Sequence, residues 1–149
     1  MYDKTITLFN YRKSTRTWHT SVFKGVDVIE LRSDTSGQHG HVNGDTVDII
    51  LHVRADKTAT AYDARGGSSL KQYVSPRAYE ALVSPDGSFT MTPEVDFIVV
   101  GEHDSATPYN DDDYEGGLYH ATNAAMDGVY MVTSATFFSL LPHFEIGGR

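Results

Sequence analysis

"KTITLFNYRKSTRTWHTSVFKGVDVIEL", Lys4 to Leu31, alternates apolar and polar side chains on both sides of a short polar turn. Thr5 and Thr7 alternate with Ile6 and Leu8, and Phe9 follows. A period of two with β-branched residues predicts a strand, because successive side chains point to opposite faces of a sheet. "RKST", Arg12 to Thr15, supplies the turn. Trp18, Val22, Val26, Val28 and Leu31 then resume the pattern. Gly25 is expected to break that run into two short strands.

The same signals recur downstream. "TVDIILHVRAD" places Val47, Ile49, Leu51 and Val53 on one face of a strand. "VDFIVVGE", Val95 to Glu102, has the unbroken apolar character of a strand buried on both faces. "GVYMVTSATFFSLLPHFEIGG" predicts two strands around a bend near Leu140 to Pro142. "SPRAYEALV" predicts one short helix from Ser75 to Val83. Ser75 is a good N-cap, Pro76 fits the first helical position, and Tyr79, Leu82 and Val83 share a face. "SDTSGQHGHVNGD", Ser33 to Asp45, is rich in turn residues and is expected to be a loop. "AYDARGGSSLKQYV" is expected to be another loop, exposed and mobile around Gly66 and Gly67. Together these give six or seven strands and one or two short helices. The expected fold is a single domain, 1–149, mainly β: a small antiparallel barrel or sandwich with long loops and short inserted helices.

Composition narrows the function. A chain of 149 residues at 40% hydrophobic can bury a real core. Its net charge of −8 argues against a protein built to grip DNA phosphates, which needs clustered Lys and Arg. Cys is absent, so disulfides, thiolate metal sites and Cys nucleophiles are excluded. "MYDKTITLFNYRK" lacks the apolar core of a signal peptide, so export by that route is not expected. No apolar run approaches the length of a membrane span.

The densest candidate site is "NDDDYEGGLY", Asn110 to Tyr119, with Asp111, Asp112, Asp113 and Glu115 among Tyr114 and Tyr119. Calcium takes about six to eight oxygens from alternating positions, and adjacent acids do not wrap one ion. No metal or cofactor is therefore expected. The acids also suit a helix start: Asn110 or Asp111 can cap, and Tyr114, Leu118, Ala121 and Ala125 fall on one side. Gly116 and Gly117 would weaken such a helix, and Gly128 would end it. The seven histidines show no metal-binding spacing, and "HGH" at 39–41 reads as loop. His143 and Glu145, two apart on a strand, share a face as an acid–base pair or as surface neighbours. No GxSxG or phosphate loop is present. Arg12, Lys13 and Arg16 form a small basic turn. These residues favour a structural or interaction protein over an enzyme, with no catalytic residue assigned. A glycan-binding module using Trp18 and the tyrosines as a platform, and a hydrolase using Asp112 and Glu115, are the alternatives.

Two stretches carry a resemblance. "MYDKTITLFNYRKSTRTWHTSVFKGVDV" and "VYMVTSATFFSLLPHFEIGG" resemble a family of small virion proteins of tailed bacteriophages, the minor capsid or head-closure proteins of phages of Gram-positive hosts. "YNDDDYEGG" is similar to that family too, and residues 33–74 carry no such likeness. The resemblance implies a β-barrel subunit made in the host cytoplasm and placed in the virion neck. There it would form a homo-oligomeric ring between portal or adaptor and tail and retain packaged DNA, which passes nearby without sequence-specific binding. A tail-terminator or tail-completion subunit is the near alternative. On this reading Asp111, Asp112, Asp113, Tyr114, Glu115 and Tyr119 form one interface patch, and Arg12, Lys13 and Arg16 the complementary one.

Overall fold

The polar turn after Arg12 folds the first stretch back on itself. In the computed structural model, which describes residues 3–31, 45–63, 65–103 and 108–149, β1 (Lys4–Arg12) pairs antiparallel with β2 (Thr17–Leu31). Residues 33–44 of the expected loop, with His39 and His41, lie outside the described residues.

Gly25 does not break β2. The register shifts from Lys4↔Val26 to Thr5↔Lys24, so Gly25 bulges out of the ladder at φ 69°, a conformation that costs glycine little. The strand bends there and continues. Up to Val26 it pairs with β1, and from Asp27 to Leu31 it pairs with β3 (Thr46–His52). One 15-residue strand thus serves two walls.

The next segment corrects the expected exposed loop. β4 (Thr58–Tyr62) and β5 (Ser68–Tyr73) form an antiparallel hairpin. The carboxylate of Asp63 shapes its turn by accepting from the N–H of Arg65 and of Gly67, each at 2.9 Å. The helix α1 (Pro76–Ala81) starts as expected, with the Ser75 hydroxyl accepting from Ala78 N–H. It stops earlier than expected, and Val83 is fully exposed rather than facing inward with Tyr79. After it come β6 (Ser88–Phe89), β7 (Phe97–Val100), β8 (Tyr109–Asn110) and a single 3-10 turn at Asp111–Asp113. The helix α2 (Leu118–Ala125), β9 (Val129–Phe138) and β10 (His143–Gly148) follow.

Six strands close into an antiparallel barrel in the order β1-β7-β9-β10-β3-β2, with β2 returning to β1. Closure removes the open edges that invite aggregation. β4, β5 and β6 extend from the free edge of β2, and β8 pairs with its first residues. Ten strands among the described residues exceed the six or seven expected, because β4, β5, β6 and β8 are short or weakly apolar.

Alternation sorts the side chains. Ile6, Leu8, Phe23, Val26, Val47, Ile49, Leu51, Ile98, Tyr130, Val132, Phe144 and Ile146 fill the interior. Phe9, Trp18, Phe97, Val99, Leu118 and Val129 form a second apolar cluster. The strand β7 therefore contributes to two cores, and Phe97, Ile98 and Val99 are all buried, as its unbroken apolar run predicts.

Candidate functional site

The second cluster carries the acidic segment. Phe9 stacks on Phe97 at 4.4 Å between ring centres, and Trp18 meets the Phe97 ring edge-on at 5.0 Å. Tyr119 of α2 approaches Phe97 at 5.2 Å, and Tyr109 approaches Phe9. Tyr11, Tyr109, Tyr114 and Tyr119 are packed against this cluster and remain partly exposed.

Asp111 locks the segment down. Its Oδ1 accepts from the indole N–H of Trp18 at 2.8 Å and from the backbone N–H of Leu118 at 2.8 Å. The second bond caps α2 from seven residues upstream. Gly116 and Gly117, at φ 78° and 93°, make the return that brings Leu118 back to Asp111. The expectation that these glycines sit inside a helix is corrected: they precede it, and Gly117 is its N-cap position. A Cβ on Gly117 would lie 3.2 Å from Asp111 Oδ1. Asn110 caps the 3-10 turn instead, accepting from Asp112 N–H at 3.0 Å.

The structure brings the acidic segment and the basic turn together within one chain. Arg16 grips Asp112 with a fork: Nε donates at 2.9 and 3.1 Å and Nη2 at 2.6 Å. Both side chains are exposed. The hydrogen bond, then the charge, raise the Arg16 pKa, and the same hydrogen bond leads in lowering that of Asp112. Asp111 N–H also donates to the Arg16 carbonyl at 2.9 Å.

Arg12 lies elsewhere. It is buried, and its Nη2 donates to the carbonyls of Glu80 and Leu82 at the end of α1, at 3.1 and 2.6 Å. Lys13 is exposed, but its backbone N–H and that of Ser14 are held by the Glu80 carboxylate. Burial acts upward on Glu80, and these N–H groups outweigh it and pull its carboxyl below the usual range. Of the nine residues assigned to the interface, Asp113, Glu115 and Lys13 present open side chains, Tyr114 and Tyr119 are half-covered, and the other four are engaged in the chain's own fold.

Trp18 is 5% exposed, so its ring is not available as a platform for a sugar. Among the described residues, no group of three or more His, Asp or Glu is placed to hold a metal ion. No helix among them is long and apolar enough to cross a membrane.

The expected bend near Leu140 to Pro142 is the β9–β10 turn, and it carries an exposed apolar tip not singled out in the sequence. Leu140 is 93% exposed, Leu141 75% and Phe138 42%. His143 clamps this tip. Its Nδ1 contacts the Leu141 carbonyl at 2.5 Å, its Nε2 the Glu145 carboxylate at 3.0 Å, and its ring stacks on Phe138. Both ring nitrogens face acceptors, which only the imidazolium satisfies. The hydrogen bond that His143 donates to the Glu145 carboxylate leads in raising the imidazole pKa.

A family described as "Family of unknown function (DUF6751)" matches residues 1–149. The chain belongs to this family. No curated protein and no solved structure matches it. For this DUF6751 member, the geometry of its own surface is what bears on function.

Sequence reading missed the internal use of Asp111 and Arg12, because both act on partners far along the chain. The Trp18–Asp111 contact spans 93 positions, and Arg12 reaches Leu82 across 70. A signal for the tip was present: two leucines beside a proline between strands, where turn residues are usually polar.

Proposed function

We propose that this chain is a structural subunit of a tailed-phage neck. It forms a homo-oligomeric ring between portal or adaptor and tail, closes the head and retains packaged DNA. The observation that carries the reading is the bare apolar tip at Leu140 and Leu141, on a small closed barrel. It falls inside "VYMVTSATFFSLLPHFEIGG", one of the two stretches that resemble the head-closure proteins. Adjacent leucines in water on a turn are a cost that a partner surface removes.

A cyclic head-to-tail ring needs two different complementary patches on each subunit. Arg16 and Asp112 satisfy each other, so that pair is a poor choice for joining neighbours. The tip is one patch on this reading. Asp113, Tyr114, Glu115 and Tyr119, with Lys13 nearby in sequence to the Arg16 fork, form the other. The acidic surface also suits a subunit past which DNA slides without sticking.

The test is assembly on purified tailless heads. Leu140→Ser with Leu141→Ser leaves the fold intact and abolishes joining of heads to tails and retention of DNA. Heads that lack the protein and still keep their DNA and attach tails would exclude the neck role. Heads that keep DNA and fail only to join tails would move the subunit to the tail-completion layer.

A further inference from the structure

β2 and β4 pair at one position only, Val22↔Tyr62. Beyond it the strands part and leave a cleft of about 410 Å³, lined by His19, Tyr62, Ser68, Ser69, Lys71 and Asp86 among others. This volume is in the range of small-molecule sites. Lys71, on β5, spans the gap. Its Nζ donates to the Thr20 carbonyl at 3.0 Å and to Ser21 Oγ at 2.8 Å.

An ammonium has three donors. Two are used here, and both acceptors are neutral. Among the described residues no carboxylate lies in ion-pair contact with Lys71. Burial is the main influence on this amine and lowers its pKa, with Asp86 opposing from a distance. A largely dehydrated cation without a counter-charge is costly, and an anion entering the cleft removes that cost. His19 forms one wall, with Nε2 on Thr17 Oγ1 at 2.9 Å. Burial, then Arg12, holds its pKa below the usual value, so it is a neutral polar group at pH 7. Asp63 also lines the cleft, but its carboxylate is tied to its own turn. Asp86 lies exposed at the cleft. An acceptor there excludes a ligand that is anionic throughout and favours hydroxyl groups.

We propose that this cleft binds a small polyol carrying one oxyanion, with the anion on Lys71 Nζ and hydroxyls toward Ser69, His19 and Asp86. The site is independent of the neck reading, since it uses neither the hairpin tip nor the acidic segment.

The test is NMR titration of the full, isotopically labelled chain with glucose 6-phosphate, glucuronate, inorganic phosphate and glucose. Saturable shifts at His19, Ser69 and Lys71 are expected with an anionic sugar and not with glucose. Whichever of the phosphate and the carboxylate binds identifies the anion. Lys71→Met, which keeps the apolar stem, weakens binding about tenfold or more, and Lys4→Met at the exposed start of β1 leaves it unchanged. Ser69→Ala, a milder change at the same site, weakens it less, and serves if Lys71→Met does not fold. Equal shifts with glucose, shifts scattered over the surface, no binding by any probe, or undiminished binding by a folded Lys71→Met would each overturn the proposal. Inorganic phosphate binding as well as the sugar phosphate would remove the polyol from it.

Discussion

Oδ1 of Asp111 accepts the indole N–H of Trp18 at 2.8 Å, joining the start of β2 to the segment before α2. The same oxygen caps α2 at Leu118. One carboxylate oxygen therefore fixes the covering segment to the barrel wall and starts its helix.

Asp111→Ala removes both bonds and leaves the indole N–H without its acceptor. It is expected to destabilise the fold by about 3 kcal/mol, combining a charge-assisted hydrogen bond with a lost cap. Urea unfolding measures it. Trp18 is the sole tryptophan, so its fluorescence reports the local environment directly. An unchanged midpoint and an unchanged emission maximum would show that Asp111 is not the anchor.

Arg12→Met removes the donor that closes α1. About 2 kcal/mol of destabilisation is expected, because the carbonyls of Glu80 and Leu82 lose a charged partner. Arg12→Lys recovers only part, since an ammonium cannot reproduce the guanidinium geometry. Hydrogen exchange would show the loss first at Tyr79 to Leu82. Full stability of Arg12→Lys would contradict the geometric role.

Asp96 is fully buried, and burial raises its pKa to about 6 against three hydrogen bonds, from Tyr11 N–H, Thr92 N–H and Asn10 Nδ2. A pKa raised in the folded state means that the fold binds the proton more tightly than the unfolded chain. The contribution of this group is fully present below about pH 4 and is lost as pH rises through about 6, amounting to about 3 kcal/mol. A carboxyl-carbon NMR titration should place its midpoint near 6. A midpoint at or below 4 would refute the assignment.

His143 runs with the same sign. Its pKa is raised by Glu145 and by the Leu141 carbonyl, so its contribution is present below the usual histidine value and fades as pH rises through the raised one. Hydrogen-exchange protection at the end of the β9–β10 ladder, where Phe138 pairs with His143, should fall across that window. Glu145→Gln should bring the imidazole titration down. Titration unaffected by Glu145→Gln would show that the clamp does not form.

The strands legible in the sequence are those with a sharp apolar period: Ile6 and Leu8 in β1, Val47, Ile49 and Leu51 in β3, and the run at Phe97 to Val99. The hairpin of β4 and β5 was not, because its inward residues are Ala59 and Ala61 and its far strand exposes Ser68, Ser69 and Leu70. Small and polar residues carry little pattern, and pairing to β2 decides their conformation. Gly25 does not distinguish a bulge from a strand end, because both share one signature, a lone glycine in an alternating run. The density of carboxylates at Asp111 to Glu115 is plain in the sequence. Its internal partners were illegible, since charge and spacing do not reveal which side chain lies across the sheet.

The order β1-β7-β9-β10-β3-β2 also has a temporal consequence. The last two strands lodge between β7 and β3, which belong to earlier parts of the chain. On the ribosome the opening hairpin can form at once, but the wall has a gap until residues 129–148 emerge. Until then β3 and β7 each offer an unpaired edge to other nascent chains. Folding is accordingly governed by contacts distant in sequence, which makes it slow for a chain of this size. Synthesis of residues 129–148 is the step that seals the barrel.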